Sequence, residues 1–168
     1  PDGWKAPVII TWTGGAGTTG WGGNNTSNWD PKQIPGADNE VVIAVAKETG
    51  VIFPSRKYPI LGNIGETINI YSLTIKEETS ITATGDTTLK NDKFFVTAFI
   101  KNEGTLETLH FPLTLRDGDF TNEGTLNNGQ TLIIENGSLN NSGTIENSGT
   151  IKIGGDLKNS GTISSNSN

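Results

Sequence analysis

The two carboxylates that come closest to an acid–base pair are Asp117 and Asp119, which flank a glycine in Arg116-Asp-Gly-Asp119. Two residues apart on a strand, they would point the same way, and glycoside hydrolysis normally uses two carboxylates at a defined separation. The same Asp-Gly-Asp sequence is equally typical of a surface turn. A lyase would also need a cationic base or a Ca²⁺ site, and no cluster of Arg or Lys stands opposite acids. The sequence therefore favours a non-catalytic chain over a glycan-active enzyme.

The other residues that could do chemistry are isolated. His110 is the single histidine and has no serine or carboxylate partner at a recognisable spacing, which predicts a structural or surface role. Asp30, Asp38 and Glu40 could give oxygens to Ca²⁺, but they lack the spacing of a ligand loop, so turn capping is the preferred interpretation. Cysteine is missing, which excludes thiol catalysis, disulfides and thiolate metal sites. We predict no catalytic site, no metal site and no cofactor.

Three of the four tryptophans are the candidate ligand-binding residues: Trp12, Trp21 and Trp29. Exposed indoles suit the apolar faces of sugar rings. The alternative is that the three indoles cover the first regular strands of the fold. Their position among glycines and other turn residues, ahead of the alternating segments, favours this second interpretation.

Charge and hydrophobicity limit the partners. The 168-residue chain has a formal net charge of -6 and no basic run, which disfavours nucleic acid and anionic membrane surfaces. The longest apolar stretches, 41–46 and 94–100, fall short of the roughly 20 residues of a membrane helix. No signal peptide precedes Pro1, which is typical of a processed product or an excised piece. We therefore expect no nucleic-acid partner and no membrane insertion.

A phrase of the form apolar-x-Asn-x-Gly-Thr-Leu/Ile recurs in the second half of the chain. Its asparagines at 102, 122, 141 and 159 are 20, 19 and 18 residues apart. A finer beat of six residues is marked by Ile133, Leu139, Ile145, Ile151, Leu157 and Ile163. Three six-residue steps fill one 18-residue interval, so both periods predict a three-sided coil with a short strand on each side.

The residue types suit such a coil. Gly is abundant at 22 residues, and the alternating segments at 41–45, 68–75 and 113–115 predict strands rather than helices. Inward aliphatics of successive coils would stack in columns, and Asn and Gly would occupy corners because both tolerate the left-handed backbone region. Stacked asparagines could pass hydrogen bonds from coil to coil. The outward threonines would form one column, made of Thr105, Thr125, Thr144 and Thr162. An ice-binding surface usually needs two such columns.

The predicted fold is therefore all-β, a single-stranded parallel β-helix (β-solenoid) with three-sided coils of about 18–20 residues and an N-terminal cap. The right hand is favoured by the general handedness of parallel crossovers, although the six-residue beat is also typical of left-handed helices. We assign residues 1–40 to the cap, 41–164 to coils with loops in 46–98, and 165–168 to a polar tail or linker. The C-terminal end lacks a comparable cap, which suggests a longer parent chain.

Two sets of motifs resemble known proteins. The pattern Trp12-x-Gly14, Asn28-Trp29, Pro35-Gly-x-Asp38, Val41-x-Ile43 resembles the opening of many bacterial secreted β-helix proteins. The Asn-x-Gly-Thr phrases resemble coils of autotransporter passengers and filamentous-haemagglutinin-like adhesins. The resemblance implies a secreted or cell-surface structural or adhesive module. Its implied partners are a host or cell-surface glycan or protein and neighbouring coils of its own parent chain. The alternative is a carbohydrate-binding or glycan-active β-helix domain.

Overall fold

The computed structural model describes residues 5–14, 21, 26–44, 59–61, 67–83, 93–109 and 111–166. His110 lies outside these residues, as does much of the predicted loop interval 46–98. The described residues form seventeen β-strands and one short 3₁₀ turn, and they contain no α-helix. No helix in this part of the chain has the length and apolar character needed to cross a membrane. The all-β prediction is confirmed.

The N-terminal elements form one end of a sheet. They are β1 (Val8–Trp12), the 3₁₀ turn (Thr26–Asn28), β2 (Trp29–Asp30) and β3 (Asn39–Ile43). Strand β1 pairs antiparallel with β2 and parallel with β3. Every other strand pair in the described ranges is parallel. The strand β2 therefore covers part of the edge of an otherwise parallel structure.

The remaining strands follow in short succession. The middle of the chain contributes β4 (Ile60–Leu61), β5 (Thr67–Ile75), β6 (Ser80–Ala83) and β7 (Lys93–Asn102). The last part contributes β8 (Thr105–Thr108), β9 (Leu113–Leu115), β10 (Phe120–Asn122), β11 (Thr125–Asn128), β12 (Thr131–Ile134), β13 (Leu139–Asn141), β14 (Thr144–Asn147), β15 (Thr150–Ile153), β16 (Leu157–Asn159) and β17 (Thr162–Ser165). Ser165, assigned from the sequence to the polar tail, is the last residue of β17.

Every third strand of this last part pairs with its equivalent, which produces three rows. The first row joins the end of β7 to β10, β13 and β16. The second row joins β8, β11, β14 and β17, and the third joins the start of β7 to β9, β12 and β15. Because β7 belongs to two rows, the first and third rows share one eleven-stranded sheet. The second row lies in a separate six-stranded sheet.

The pairing register explains why the spacing of the asparagines shrinks from 20 to 18 residues. Seven positions separate Leu106 from Leu113, whereas six separate their register partners Leu126 and Leu132. The corner after β12 takes four residues, 135–138, and the corner after β15 takes three, 154–156. The strands keep their register, and the connections between them absorb the difference.

The predicted six-residue spacing of inward aliphatic residues was wrong at its first position, Ile133. Ile133 is only half-buried and pairs with Thr114 and Lys152, while its neighbours Leu132 and Ile134 point into the core. The longer corner at 135–138 adds one residue between β12 and β13. Since side chains alternate across a strand, this one residue moves the inward position from 133 to 132.

The core consists of aliphatic columns with aromatic rings at the N-terminal end. The inward apolar residues of the first two rows are buried in the first three strands of each row and become exposed in the last strand. Burial of each Leu or Ile contributes about 1.5–3 kcal/mol, so these columns are the main source of stability. The aromatic cluster comprises Trp12, Trp21, Trp29, Phe94 and Phe111.

Candidate functional site

A ladder of asparagine side chains runs along the end of the first row. The Nδ2 of Asn102 donates to the Oδ1 of Asn122, the Nδ2 of Asn122 to the Oδ1 of Asn141, and the Nδ2 of Asn141 to the Oδ1 of Asn159, each at 2.8 Å. The first three of these side chains are buried. The predicted stacking of these asparagines is confirmed, and each amide links one repeat to the next.

Each ladder amide also holds the corner that follows it. The Nδ2 of Asn122 donates to the carbonyl oxygens of Gly124 at 3.2 Å and Thr144 at 3.0 Å. Asn141 does the same with Gly143 and Thr162. A carboxamide carries both a donor and an acceptor, so one residue type satisfies the column and the corner together. This double use explains the Asn-x-Gly-Thr phrase.

A second ladder begins at the end of the second row. The hydroxyl of Thr108 donates to the Oδ1 of Asn128 at 2.6 Å, and the Nδ2 of Asn128 donates to the Oδ1 of Asn147 at 2.8 Å. Sequence reasoning missed this ladder, although Asn147 stands in a further copy of the phrase, Ile145-Glu-Asn147-Ser-Gly149-Thr-Ile151. Because Asn127 and Asn128 are adjacent, the sequence does not show which of them points inward. At the equivalent position one strand earlier, the residue is Thr108 and not an asparagine.

Both ladders run in one direction, with donors pointing toward later repeats. The two starting points differ. Asn102 lies in register with Ile75, which has no donor to give, and the buried Oδ1 of Asn102 has no hydrogen-bond partner. Thr108 begins the second ladder with a hydroxyl that donates forward. The direction matters because it makes the two ends of each ladder chemically different.

The glycines of the phrase are required by close approach between repeats. A methyl group added at Gly124 would overlap the carbonyl oxygen of Gly104, and one at Gly143 would overlap that of Gly124. Among the glycines of the described residues, Gly14 alone has a left-handed φ, of 66°. The expectation that the repeat glycines serve a left-handed conformation was therefore wrong. They leave room for the backbone of the preceding repeat.

The two carboxylates singled out in the sequence bind the next corner along. Asp117 accepts a hydrogen bond from the Nδ2 of Asn136 at 3.2 Å, and Asp119 accepts one from the backbone N–H of Ser138 at 2.8 Å. The Ser138 hydroxyl oxygen in turn accepts from the N–H of Asp156 at 3.0 Å. Asp117 and Asp119 are exposed and hold turns in place. Catalysis by this pair stays a hypothesis.

The indoles of Trp12, Trp21 and Trp29 lie together in the core. The ring centroids of Trp12 and Trp29 are 4.8 Å apart and those of Trp21 and Trp29 are 4.7 Å apart, both edge to face. The Nε1 of Trp29 donates to the carbonyl of Trp21 at 3.0 Å. All three side chains are buried. Sugar binding through these indoles stays a prediction, and it would require the cluster to open.

The acids considered for Ca²⁺ take part in the strands and turns around β1. Asp30 lies in β2, Glu40 lies in β3, and the Asp38 carbonyl accepts from the N–H of Val8 at 3.3 Å. In the described ranges, no three His, Cys, Asp or Glu residues gather as metal ligands would. The geometry of these described residues therefore does not support a calcium site.

The surface of the repeats is polar. The predicted threonine column is confirmed, because Thr105, Thr125, Thr144 and Thr162 are register partners. The next outward column on the same strands carries Glu107, Asn127 and Glu146, which is unlike the second threonine column of an ice-binding face.

Charged side chains connect neighbouring repeats on the first row. Lys101 lies 3.2 Å from Glu103 and 3.7 Å from Glu123. The hydrogen bond that Lys101 donates to Glu103, together with the charges of both glutamates, raises the pKa of Lys101. Because these groups are solvated, their contribution to stability is small.

A cleft of about 500 Å³ near the N-terminal end was missed from the sequence. Its lining includes Lys5, Pro7, Val8, Asp38 and Tyr71. Tyr71 stands where the pairing of β5 with β7 shifts register, between Ile70 and Ser72. The sequence signal is the break in alternation, since Ile68 and Ile70 are inward but Leu73 follows after two residues. The cleft combines an aromatic ring, an acid and a cation in one concave surface.

No protein-family model, curated protein or solved structure matches the chain.

Proposed function

We propose that the chain is a single-stranded parallel β-solenoid with three-sided coils of 18–20 residues. In this proposal it acts as a non-catalytic structural or adhesive module, secreted or at a cell surface. The observation that carries the proposal is the first asparagine ladder, which links equivalent corners of four successive repeats. Equivalent residues that stack at every corner are expected when the chain winds around one axis. The general handedness of parallel crossovers favours a right-handed coil.

The use of polar residues supports a structural role. Asn102, Asn122 and Asn141 are buried with their amides bonded along the ladder, and Asp117 and Asp119 bind neighbouring corners. These polar side chains therefore connect neighbouring repeats. Each coil advances the axis by about 4.8 Å, so the module is a stiff spacer. In this proposal the buried tryptophan cluster caps the N-terminal end.

The location and partners follow from the resemblance to bacterial secreted β-helix proteins and adhesins. The net charge of -6 and the polar outward columns suit an aqueous surface. The proposed partners are a host or cell-surface glycan or protein, together with neighbouring coils. We place such contacts in the interval 46–98, which the sequence predicts to contain loops.

An array of immobilised glycans and matrix proteins tests the adhesive function. Beads coated with the chain are expected to be retained on at least one ligand, and the soluble chain is expected to release no sugar from polyuronates or neutral polysaccharides. The contrary result is saccharide release that disappears in the Asp117→Ala variant. That outcome would make the chain a glycan-active enzyme.

Carbohydrate binding is the second candidate function, and the cleft at Tyr71 favours it. Ligand sites are commonly concave, with volumes of about 300–1,000 Å³ and a few polar groups. The half-buried Tyr71 ring could stack on a pyranose while Asp38 accepts hydrogen bonds from its hydroxyls. This site is independent of the buried indoles.

Substitution of Tyr71 separates the two candidates on the same array. If a retained ligand is a glycan bound in the cleft, Tyr71→Ala weakens binding about tenfold, which corresponds to the loss of one stacking contact. Tyr71→Phe keeps the ring and is the matched control, with binding close to the parent. Glycan binding that survives Tyr71→Ala would place the ligand elsewhere, and thermal unfolding of each variant checks that the fold is intact.

A further inference from the structure

The last repeat ends in an apolar face that is exposed, whereas the equivalent face of the repeat before it is covered. Leu157 is 53% exposed and Ile163 is 40% exposed, although their register partners Leu139 and Ile145 are 1% and 0% exposed. Ile151 and Ile153 of the third row are half-buried beside them. We call this surface, made of Ile151, Ile153, Leu157, Asn159 and Ile163, the terminal face.

The terminal face has the same chemistry as the contacts between repeats inside the chain. Leu139 and Ile145 present aliphatic side chains that the last repeat covers. The backbone N–H of Ser160 donates to the carbonyl of Asn141 at 2.8 Å, and that of Thr162 donates to Gly143 at 2.9 Å. The face is thus continuous with an interface that the chain already makes. Asn159 and Gly161 are the equivalents of Asn141 and Gly143 one repeat later.

The direction of the asparagine ladder restricts what can bind there. The Oδ1 of Asn159 accepts from Asn141, and its Nδ2 donates to the carbonyl of Gly161 at 3.2 Å. In Asn122 and Asn141 the same nitrogen also donates to an amide oxygen in the next repeat. The terminal face therefore offers a donor, and its occupant must supply an acceptor.

Two copies of this chain do not meet that requirement. If two terminal faces met, the Nδ2 of one Asn159 would face the Nδ2 of the other. Among the described residues, the N-terminal end offers no acceptor side chain in this row, because the positions before Asn102 in register are Ile75, Ile43 and Trp12. The ladder thus disfavours both tail-to-tail and head-to-tail pairing of copies.

We propose that the terminal face binds, in parallel register, a segment of two short β-strands joined by a corner, of the form aliphatic-x-Asn-x-Gly-Thr-aliphatic. Its asparagine Oδ1 accepts from Asn159, and its two aliphatics cover Leu157 and Ile163. Its glycine lies against the carbonyl of Gly161, as Gly161 lies against that of Gly143. This inference rests on the proposed solenoid and names the kind of partner that the module binds.

A tandem variant tests the proposal, with a second copy of residues 148–165 placed directly after Ser165. The added 18 residues keep the spacing of the last two repeats. We expect amide hydrogen exchange at Thr162, Ile163 and Ser164 to slow at least about tenfold, because their strand becomes covered. The matched control carries leucine and alanine in the added copy, in place of the asparagine equivalent to Asn159 and the glycine equivalent to Gly161.

The outcomes separate the inference from the proposed fold. Protection in the tandem variant but not in the control supports the proposal. Unchanged exchange in β17, or equal protection in the control, overturns it. Amides of β10, β11, β13 and β14 report on the solenoid in all three proteins. If these amides exchange freely, the proposed fold fails; if they are protected and β17 is not, the docking proposal alone fails.

Discussion

Replacing Asn122 by alanine is expected to lower the free energy of unfolding by about 4 kcal/mol, since each buried group left unsatisfied costs about 1–3 kcal/mol. The side chain is buried in the middle of the first ladder. Its removal takes an acceptor from Asn102 and a donor from the Oδ1 of Asn141 and the carbonyl of Thr144. Urea unfolding followed by circular dichroism measures the loss.

Asn102→Thr is the matched control for this prediction. Asn102 begins the ladder, and its Oδ1 already has no partner. A threonine hydroxyl can donate to Asn122 in the way that Thr108 donates to Asn128. We expect a cost of about 1 kcal/mol, for the lost hydrogen bond to the Thr125 carbonyl. Equal losses for the two variants would contradict the ladder as the link between repeats.

Gly124→Ala is expected to destabilise the chain by about 3 kcal/mol, at the upper end of what overpacking costs. The added methyl group would overlap the carbonyl oxygen of Gly104. That oxygen accepts the N–H of Thr125 at 2.8 Å, so the strain falls on a backbone bond between repeats. Neither backbone can yield without shifting a whole row. Thermal and urea unfolding measure the effect.

Gly36→Ala is the control for the glycine prediction. A methyl group there would meet only the Oδ1 of Asn39, at 3.9 Å, which is ordinary contact. We expect a change within about 0.5 kcal/mol. A large loss at Gly36 with a small one at Gly124 would show that the repeats are not packed as described.

Periodicity predicted the parts of the fold that repeat. Asn102, Asn122, Asn141 and Asn159 stack as their spacing predicts, because equivalent positions of stacked repeats must lie in register. Ile133 was misplaced because a regular beat assumes corners of equal length, and the corner at 135–138 is one residue longer than the corner at 154–156. Corner length depends on local backbone geometry, which a hydrophobic pattern does not encode.

The direction in which the ladder amides donate their hydrogen bonds could not be predicted from the sequence. The orientation of each amide depends on which carbonyls lie within reach of its Nδ2, and these come from the next repeat.

The cleft at Tyr71 depends on residues more than 30 positions apart, such as Asp38 and Tyr71, that meet at the edge of the fold. The burial of Trp21 against Phe94 is likewise a long-range contact.

Equivalent residues 18–20 positions apart lie in register on neighbouring strands. The chain has no cysteine, so an introduced pair reports on this register without interference. In the double variant Thr125→Cys/Thr144→Cys, the two Cα positions are register partners and lie about 4.8 Å apart, within the range of a disulfide. In Thr125→Cys/Glu146→Cys they are about 8 Å apart, which is too far. Under mild oxidation we predict rapid disulfide formation in the first variant and none in the second; equal or reversed cross-linking would contradict this register and the proposed coil.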